Sequence, residues 1–512
     1  MMATAQIDTS LLISHLRSCV PEGAKLSADS RQIRSGDIFF AYPVGHSNEL
    51  RDGRLYINDA LTNGAGAVVY EPAGMHDKFI ENPSCFPVEQ LAKLVGGLCA
   101  EWYGYPSKQL QVIGITGTNG KTSIAYWLTQ ALNHASHSVA MLGTLGAGFL
   151  GKLVPTGYTT PDAPQIQTQL KEFALAGAKQ AVMEVSSHAL DQNRINGVEI
   201  DCAVFTNLSQ DHLDYHGTMV EYAQVKARLF RHPGLKHAVI NLDDNFGREL
   251  AMQLLAGDST QVWGYALDEK AFVGFEKFGK RLHRVFIKDV ALTSTGYEVI
   301  FCHEKFSAHP VYLSVLGEFN LSNCLAVWTV LLTQGISPEQ ASNRIAQLQV
   351  VPGRMELIRL QHSDPLVVVD YAHTPDALKK SLLALHPLAK QRGGKLWCVF
   401  GCGGNRDVGK RPHMGKIAQE FADQIIITSD NPRAEDPEVI IAMIHAGMKV
   451  DSQHTHTIID RAAAIMFAVR GADSQDIVLV AGKGHESTQE IQGKKFAFSD
   501  QEHVQLAAGG HA

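Results

Sequence analysis

Short apolar runs alternate with segments of helical periodicity along most of this 512-residue chain. Between residues 110 and 265, six such runs predict strands, and helical patterns fill most of the gaps between them. Buried strands that alternate with helices are typical of a mostly parallel sheet with helices on its faces. The predicted strands are Leu110–Thr116, Ser138–Gly143, Ala178–Val185, Cys202–Asn207, Ala238–Leu242 and Gln261–Tyr265.

The same rhythm returns beyond Val351-Pro352-Gly353, a tripeptide that breaks regular structure and marks a boundary. Five strands are predicted there, with helices that begin near Pro375, Arg411, Pro437 and Arg461. Between the two α/β parts the pattern predicts four short antiparallel strands and then two helices. The five strands are Leu366–Asp370, Leu396–Phe400, Gln424–Thr428, His456–Ile459 and Ile477–Val480, and the four are Phe272–Phe278, Arg284–Leu292, Tyr297–His303 and Val311–Val315.

The first hundred residues mix helical patterns at Leu11–Leu16 and Asn58–Asn63 with strand patterns at Asp37–Ala41 and Ala67–Tyr70. A chain of this length suits about three domains. We therefore predict an α/β protein with an N-terminal mixed α/β domain (1–107), a central P-loop ATPase-like parallel-sheet domain (108–350) and a C-terminal Rossmann-like domain (351–512).

The composition indicates which kinds of partner the protein binds and in which cellular compartment it resides. Lys and Arg number 45 against 52 Asp and Glu, with no long basic block, so we expect no nucleic-acid partner. The eight cysteines are scattered without a Cys-x-x-Cys pair, which is typical of reduced thiols. The sequence shows neither a signal peptide pattern nor an apolar run of about 18 residues, so we expect a cytoplasmic protein without a membrane span.

The strongest chemical signal follows the first central strand, where Thr116-Gly117-Thr118-Asn119-Gly120-Lys121-Thr122 opens a helix predicted over Ser123–Leu132. Glycines let backbone N–H groups face phosphate oxygens, Lys121 adds a positive charge, and Thr122 offers a hydroxyl to Mg²⁺. The strict pattern requires glycine where the chain has Ile115, so this is a compact variant. A phosphate-binding loop for ATP or GTP is predicted; the alternative is a glycine-rich turn without a ligand.

Polar residues also follow later strands, whose carboxyl ends share one edge of a parallel sheet. Glu184 could reach Mg²⁺ at the phosphate loop, or simply cap the next helix. His212, within the dense string 211–216, could ligate a second ion, or lie in a polar surface loop. The segment Tyr158–Asp162 suits an anion or sugar, or a plain N-cap turn. Lys226, taken alone, predicts only a solvated lysine.

Three polar loops follow strands of the C-terminal part: Gly401–Arg406, Asp430–Arg433 and Gly482–Glu486. Arg406 could bind a carboxylate through two hydrogen bonds, and the acidic, amide and basic groups of the second loop suit a zwitterionic amino acid. One amino-acid pocket is predicted, with three unrelated turns as the alternative.

Together these strings resemble the Mur ligase family of peptidoglycan synthesis, and the resemblance covers nearly the whole chain. The string Asp430-Asn431-Pro432-Arg433 is similar to the motif with which diaminopimelate-adding members recognise their amino acid; lysine-adding members carry another string there. The other strings that carry the resemblance are 116–122, 184–188, 206–209, 211–216, 352–356, 370–375, 403–406 and 482–486.

The resemblance implies a role for each matching residue. ATP would contact Thr116, Gly117, Thr118, Asn119, Gly120, Lys121, Thr122, Asn320 and Arg354. Two Mg²⁺ ions would be held by Thr122, Glu184, His212 and Lys226, the last as a carbamate derived from CO₂. The UDP-sugar dipeptide would contact Ser30, Thr159, Thr160, Ser186, Gln192 and Arg194. Diaminopimelate would contact Arg406, Asp430, Asn431, Pro432, Arg433, Gly482 and Glu486. Catalysis would involve Lys121, Glu184, His212, Lys226, Arg354, Asp370 and His373.

The activity that the resemblance implies is ATP-dependent ligation of meso-2,6-diaminopimelate to the D-glutamate of UDP-N-acetylmuramoyl-L-Ala-D-Glu, through an acyl phosphate, by a monomer. The alternatives are a lysine-adding Mur ligase, a folylpolyglutamate synthetase-like or cyanophycin-type ligase, a P-loop kinase or switch protein, and a nucleotide-binding scaffold without catalysis.

Overall fold

The computed structural model describes residues 9–509 apart from 46–50, 76–81, 258–259, 294–295, 305, 308, 359, 362–363 and 450–453. Two compact units are present: the first comprises Met1–Lys288, Ile300–His309 and Asn323–Ile345, and the second Asp289–Val299, Pro310–Ser322 and Ala346–Ala512. The three main sheets are N-terminal, central and C-terminal in sequence, which confirms the three-domain α/β architecture. The predicted boundaries near residues 107 and 350 stay predictions.

The N-terminal sheet has four parallel strands in the order β1-β2-β5-β6. Strand β2 is buried on both faces because Phe40 packs into one apolar core while Phe39 and Ala41 pack into another. The elements are α1 (Thr9–Cys19), β1 (Leu26–Ser27), β2 (Ile38–Ala41), β3 (Pro43–Val44), β4 (Arg51–Asp52), α2 (Ile57–Thr62), β5 (Ala67–Tyr70), β6 (Cys85–Pro87) and α3 (Leu91–Trp102).

The central sheet runs β16-β15-β14-β13-β12-β11-β7-β10-β8-β9, and β17 pairs with β15. Its strands are β7 (Gln111–Thr116), β8 (Val139–Gly143), β9 (Gly146–Gly148), β10 (Gln180–Glu184), β11 (Cys202–Phe205), β12 (His237–Asn241), β13 (Gln261–Ala266), β14 (Leu282–Leu292), β15 (Tyr297–His303), β16 (Phe306–Ser307) and β17 (Val311–Leu313). All pairings along the path β14-β13-β12-β11-β7-β10-β8 are parallel, so the polar residues after these strands share one edge.

The helices of this part are α4 (Lys121–Leu132), α5 (Ala163–Leu175), α6 (Ser187–Asp191), α7 (Leu213–His216), α8 (Met219–Ala227), α9 (Asn245–Ala256), α10 (Glu318–Thr333) and α11 (Pro338–Ala346). Several begin at a side-chain cap: Asp162 accepts from Gln165 N at 2.9 Å, and Thr218 with Glu221 forms a capping box.

The strand predicted at Phe272–Phe278 is wrong. The chain forms two short 3₁₀ helices there, Glu269–Phe272 and Glu276–Arg281, separated by Gly274 with φ 92°. Buried Phe272 and Phe275 lie three residues apart and both pack into the central core. The apolar residues therefore followed a helical turn, which a short aromatic run does not distinguish from a strand.

The C-terminal sheet has the order β18-β19-β23-β20-β21-β22, with only β18 antiparallel among these pairings. In β19, Val368 packs into one core while Val367 and Val369 pack into the other. The elements are β18 (Glu356–Ile358), β19 (Leu366–Asp370), α12 (Pro375–Arg392), β20 (Leu396–Phe400), α13 (Lys410–Phe421), β21 (Gln424–Ile427), α14 (Pro437–His445), β22 (Thr455–Thr457), α15 (Arg461–Gly471), β23 (Ile477–Ala481), β24 (Thr488–Ile491), β25 (Lys494–Ala497) and α16 (Asp500–Ala508).

A buried ion pair joins α15 to α16 and to the end of β23. Arg461 donates to both carboxylate oxygens of Asp500, at 2.8 and 2.7 Å, and to Ala481 O at 3.0 Å. Both side chains are fully buried. This bidentate contact fixes the backbone immediately before Gly482, where one of the predicted binding loops begins.

Replacing one member of this pair strands the other charge in the protein interior. We expect Arg461→Met to cost about 3 kcal/mol of unfolding free energy, measured as a lower urea midpoint of the full chain. The double variant Arg461→Met/Asp500→Leu should recover much of the loss, since it removes both buried charges. A single variant with an unchanged midpoint would contradict this assignment.

Candidate active site

The phosphate loop lies between β7 and α4 as predicted, and its backbone leaves no room for side chains at two glycines. Gly117 has φ 149°, and a Cβ there would meet Thr206 Oγ1 at 1.8 Å. Gly120 has φ 89° and caps α4, and a Cβ there would lie 2.5 Å from Asn323 Oδ1. Asn119 N donates to Asn207 Oδ1 at 3.0 Å, which ties the loop to the segment after β11.

Two lysines point at the carbonyls of this loop. Lys121 Nζ donates to Gly117 O at 2.9 Å and to Thr118 O at 2.8 Å. Lys226, on α8, is buried and also donates to Gly117 O, at 2.8 Å. Burial, and then the nearby charge of Lys121, hold the pKa of Lys226 well below its usual range. Spacing alone predicted a solvated lysine here, because the burial of Lys226 depends on how α8 packs, and only the family resemblance pointed to another role.

Glu184, at the end of β10, lies fully buried beside the loop. Its Oε2 accepts from Thr122 Oγ1 at 2.9 Å and from Thr144 Oγ1 at 3.2 Å, and its Oε1 accepts from Thr144 N at 2.8 Å. A Cβ at Gly143 would approach Glu184 Oε1 to 2.3 Å, so glycine makes room for the carboxylate. The carboxylate therefore joins the phosphate loop to the end of β8 and does not merely cap α6.

The same strand end connects to the residues predicted for the sugar dipeptide. Thr159 Oγ1 lies at hydrogen-bond distance from Thr144 Oγ1, 3.1 Å away, and Thr160 Oγ1 donates to the backbone oxygen of Glu184 at 2.8 Å. Ser186 N in turn donates to Thr160 Oγ1 at 3.0 Å.

Arg194 extends this network. It donates to Thr160 O at 2.7 Å and to Gln192 Oε1 through Nε at 3.0 Å. Its guanidinium carbon lies 5.8 Å from the ring centroid of Tyr158. Thus five predicted residues (Thr159, Thr160, Ser186, Gln192 and Arg194) form one connected group next to Glu184.

The sixth, Ser30, lies buried in the N-terminal sheet domain at a 3₁₀ turn. Asp29 caps this turn by accepting from Arg31 N at 3.0 Å, and Asn63 Nδ2 donates to Ser30 O at 3.0 Å. Burial raises the pKa of Asp162, and the charge of Asp29 adds to that shift.

Histidines cluster beside the loop, as the string at residues 211–216 suggested. The ring centroid of His188 lies 4.8 Å from that of His212 and 5.6 Å from that of His216. His212 has a left-handed backbone, φ 52°, and its Nε2 lies 3.4 Å from Asp211 Oδ2. Burial, and then the neighbouring histidines, lower the pKa of His188 to about 3, so this ring is neutral.

In the second unit, a buried lysine that sequence reasoning missed holds two of the predicted loops together. Lys483 Nζ donates to Asn431 Oδ1 at 3.1 Å, to Glu486 Oε2 at 2.8 Å and to Thr488 O at 2.7 Å. Asn431 Nδ2 also donates to Glu486 Oε2, at 2.8 Å. Burial opposes ionisation of Glu486, but Lys483 and Asn431 together hold its pKa below the usual value.

Asp430 and Arg433 lie in the same group of loops. Asp430 Oδ1 accepts from Asn431 N at 2.7 Å, while its buried Oδ2 accepts no hydrogen bond from the residues that the structure describes. A Cβ at Gly482 would lie 2.4 Å from that Oδ2. Arg433 donates to Gly404 O at 2.8 Å, and its Nε lies 3.6 Å from Glu490 Oε2.

Arg406 follows Gly404 on the loop after β20 and is exposed to solvent. Its side chain is therefore accessible to an anionic ligand. Pro432 is buried, and its carbonyl oxygen would lie 1.9 Å from a Cβ at Gly404. The three predicted loops thus contact one another in the second unit. This excludes the alternative that they are three unrelated turns.

A fourth strand end, after β19, carries Asp370 and His373. Asp370 accepts from Met355 N at 3.0 Å and from Ser381 Oγ at 2.6 Å, and burial raises its pKa. The guanidinium carbon of Arg354 lies 4.5 Å from the ring centroid of Tyr371. His373 Nδ1 lies 2.8 Å from Tyr371 O.

Asn320, in the first turn of α10, is buried and donates to Leu316 O at 2.9 Å. Asp370 and Asn320 are both held by contacts within the second unit, and their predicted roles toward a nucleotide stay predictions.

Two family descriptions match the chain: the Mur ligase middle domain over residues 115–331, and the Mur ligase glutamate ligase domain over residues 353–484. The UDP-N-acetylmuramoyl-L-alanyl-D-glutamate–2,6-diaminopimelate ligase of Ralstonia nicotianae is 49% identical over 97% of this chain and 95% of its own length. The chain belongs to the Mur ligase family. The ligase of the same name from Neisseria meningitidis serogroup A is 45% identical over 94% of each chain.

Solved structures agree with this placement. A UDP-N-acetylmuramoyl-L-alanyl-D-glutamate–2,6-diaminopimelate ligase is 34% identical, with a TM-score of 0.65 over 97% of this chain and 98% of its own. The folylpolyglutamate synthase of Mycobacterium tuberculosis, in complex with ADP, shares the fold at 20% identity, with a TM-score of 0.60 over 77% of this chain and 91% of its own. The described part of this Mur ligase contains no helix that is both long and apolar enough to cross a bilayer.

Position 117 requires glycine because its φ is positive and because a Cβ would collide with Thr206. A substitution there therefore tests whether the loop binds ATP. We expect Gly117→Ala to weaken ATP binding at least about tenfold, because a conflict with Thr206 worth over 1 kcal/mol must be relieved by moving the loop. Calorimetric titration with ATP would measure the change.

Gly114→Ala, three residues earlier on β7, is the matched control, since its Cβ would meet neighbours at ordinary distances of 3.4 to 3.5 Å. Equal ATP affinity in the two variants would show that the loop geometry at Gly117 does not matter for binding.

Proposed function

We propose that this Mur ligase uses ATP to join meso-2,6-diaminopimelate to the γ-carboxylate of D-glutamate in UDP-N-acetylmuramoyl-L-Ala-D-Glu. The observation that carries the proposal is the physical continuity between the phosphate loop and the Thr159–Arg194 group through the buried carboxylate of Glu184. Such continuity suits a reaction in which a phosphate from ATP is passed to a carboxylate bound next to it.

A carboxylate is a poor acyl donor because its leaving group would be oxide. In the proposed reaction an oxygen of the γ-carboxylate attacks the γ-phosphorus of ATP, ADP leaves, and an acyl phosphate forms. The amine of diaminopimelate then attacks the carbonyl carbon, phosphate leaves with the bridging oxygen, and the amine gives up a proton. The product is an amide, and ADP and phosphate are released.

The chain's part in the first step is to bring anions together. Lys121 already lies on the loop carbonyls, 2.9 Å from Gly117 O, and would turn from them to the phosphates. The dipole at the N-terminus of α4 favours negative charge at the same place. Arg194 would hold the acidic dipeptide from the other side of Glu184.

Hydroxyl and carboxylate oxygens are the ligands that Mg²⁺ prefers, and Thr122 Oγ1 and Glu184 Oε2 lie 2.9 Å apart. We propose that these two groups and His212 hold Mg²⁺, with carbamylated Lys226 at a second ion. When bound, Mg²⁺ supplies positive charge that offsets repulsion between the phosphates and the carboxylate.

Carbamylation of Lys226 is supported by its surroundings. Burial and the charge of Lys121 hold the pKa of this amine well below its usual range, which favours the neutral form, and the neutral amine is the form that adds to CO₂. The nitrogen attacks carbon, the amine loses a proton, and a carbamate anion results. This converts a group that repels Lys121 when protonated into one that attracts it.

The C-terminal loops suit the incoming amino acid. The unpaired Oδ2 of Asp430 is an acceptor for an ammonium group, and Arg433 and exposed Arg406 are donors for carboxylates. Lysine lacks the second carboxylate of diaminopimelate, so it would leave an arginine without its partner. The relatives named above favour the diaminopimelate-adding ligase over the lysine-adding and folylpolyglutamate alternatives.

We further propose that the enzyme is a cytoplasmic monomer, in keeping with its eight free cysteines.

The direct test is phosphate release from ATP in the presence of UDP-N-acetylmuramoyl-L-Ala-D-Glu, with meso-diaminopimelate or L-lysine added in parallel. We expect sustained release with diaminopimelate alone, since only diaminopimelate has a second carboxylate to pair with the second arginine. Release with lysine alone would keep the ligase class and overturn the amino-acid assignment. No release with either would overturn the proposed reaction.

The carbamate predicts a specific chemical signature. With ¹³C-bicarbonate, we expect a carbamate carbonyl signal in the NMR spectrum of the enzyme that is absent from Lys226→Ala. That variant should lose ligation, and added acetate or another short carboxylate should partly restore it, because it can occupy the vacated space. Lys236→Ala, which removes an exposed surface lysine, is the control. Near-normal turnover of Lys226→Ala would refute a catalytic carbamate.

Arginine at position 433 should matter for the amino acid and not for ATP. We expect Arg433→Lys to raise KM for diaminopimelate at least about 30-fold, equivalent to about 2 kcal/mol, because an ammonium cannot reproduce a two-point contact. Arg470→Lys on α15, whose guanidinium donates to the backbone oxygen of Ala507 at 3.2 Å, is the control. An equal loss of ATP affinity would indicate misfolding of the variant instead.

A further inference from the structure

Three potential metal ligands meet on the central sheet, away from the phosphate loop. His283 on β14, His303 at the end of β15 and Glu304 just after it each offer one ligand atom, and these atoms all lie within 4.8 Å of one another. His283 Nδ1 is 3.5 Å from Glu304 Oε1, and His303 Nε2 is 3.7 Å from the same oxygen. We call these three residues the histidine–glutamate cluster.

The two ligand nitrogens are buried but not satisfied. Neither His283 Nδ1 nor His303 Nε2 makes a hydrogen bond with any residue that the structure describes. Glu304 has a left-handed backbone, φ 53°, and its N–H donates to Arg284 O at 3.1 Å, which holds the residue after β15 against β14. Buried imidazole nitrogens normally have a hydrogen-bond partner. A ligand that accepts both lone pairs would remove the free-energy cost of burying these nitrogens without one.

The spacing is close to that of a bound metal ion. Zn²⁺ binds imidazole nitrogen and carboxylate oxygen at about 2.0–2.2 Å, which in a tetrahedron places ligand atoms about 3.3–3.6 Å apart. The two nitrogen–oxygen distances, 3.5 and 3.7 Å, need little adjustment to match, and the two nitrogens lie within 4.8 Å of each other. We propose that the histidine–glutamate cluster binds one divalent transition metal ion of the Zn²⁺ class, with water completing its coordination on the exposed side.

The rings are held in place by Trp263. Its ring stacks on His283 with centroids 4.0 Å apart and a 15° angle between planes, and on His303 at 5.4 Å and 27°. Trp263 is buried and pairs with His283 across β13 and β14. Stacking orients the imidazoles before a metal arrives, and it places a fluorescent side chain against one of the ligands.

This site is separate from the nucleotide site. Register places His283 beside Trp263, then Val239, Val204 and Ile115 on successive strands. Four strand spacings correspond to about 19 Å between His283 and the strand that carries the phosphate loop. A two-imidazole, one-carboxylate set also favours Zn²⁺, Co²⁺ or Ni²⁺ over Mg²⁺, which prefers oxygen ligands. The proposal therefore does not depend on the ligase mechanism.

Calorimetric titration of the full chain with Zn²⁺ alone tests the proposal. We expect His283→Phe, which keeps a ring on Trp263, and Glu304→Gln each to weaken one bound equivalent at least about tenfold. Zn²⁺ should also change the tryptophan fluorescence of the parent chain. Trp263→Phe should lose that change while keeping the heat of binding.

The control is His134→Phe. His134 and His137 also stack, with centroids 5.2 Å apart, but among the described residues they belong to no group of three ligand side chains. Zn²⁺ sites elsewhere, such as the histidines near the phosphate loop, would remain in all variants. Binding that is unchanged in both His283→Phe and Glu304→Gln, or a parent chain that binds no Zn²⁺, would overturn the proposal.

Discussion

A carboxylate taken out of water must be given hydrogen-bond donors, and Glu184 takes three of them from Thr122 and Thr144, residues that lie on different elements. Meeting that requirement forces the phosphate loop, the end of β8 and the end of β10 into one arrangement. The backbone carbonyl of the same glutamate then fixes Thr160, and through Thr160 the network reaches Arg194. One buried charge thus sets the distance between the two places where the proposed reaction needs its anionic substrates.

Two lysines bring positive charge to the phosphate loop. Lys121 and Lys226 both approach Gly117 O, and two full charges so close would repel each other strongly in a buried site. Burial and Lys121 relieve this by lowering the pKa of Lys226. A second buried lysine, Lys483 in the second unit, is instead paired with the carboxylate of Glu486. Burial and Lys121 thus shift Lys226 towards its neutral form, whereas Lys483 is matched by a carboxylate, and the two lysines lie in different proposed binding sites.

Much of this organisation follows from the sequence. Leu366–Asp370 and Leu396–Phe400 are strands at the predicted residues, because continuous apolar runs between helices leave few alternatives. The ligand-side residues at strand ends were also predictable, since parallel strands share an edge. The contacts of Lys483, which lies inside the predicted loop Gly482–Glu486, and the histidine–glutamate cluster were not predictable, because their burial and proximity arise from long-range packing that no local pattern marks. The strand predicted at Phe272–Phe278 was wrong for a related reason. Aromatic residues three positions apart fit a 3₁₀ turn as well as they fit a short strand.

The proposed function depends on one hypothesis, that the substrate carboxylate is activated by phosphoryl transfer at the sheet edge organised by Glu184. Its most direct test uses UDP-N-acetylmuramoyl-L-Ala-D-Glu labelled with ¹⁸O in the γ-carboxylate of its D-glutamate. If an acyl phosphate forms, the bridging oxygen leaves with the phosphate, and the inorganic phosphate released during amide formation should carry ¹⁸O. Unlabelled phosphate, released while the amide product accumulates, would contradict the proposed route and require that ATP be used for another purpose.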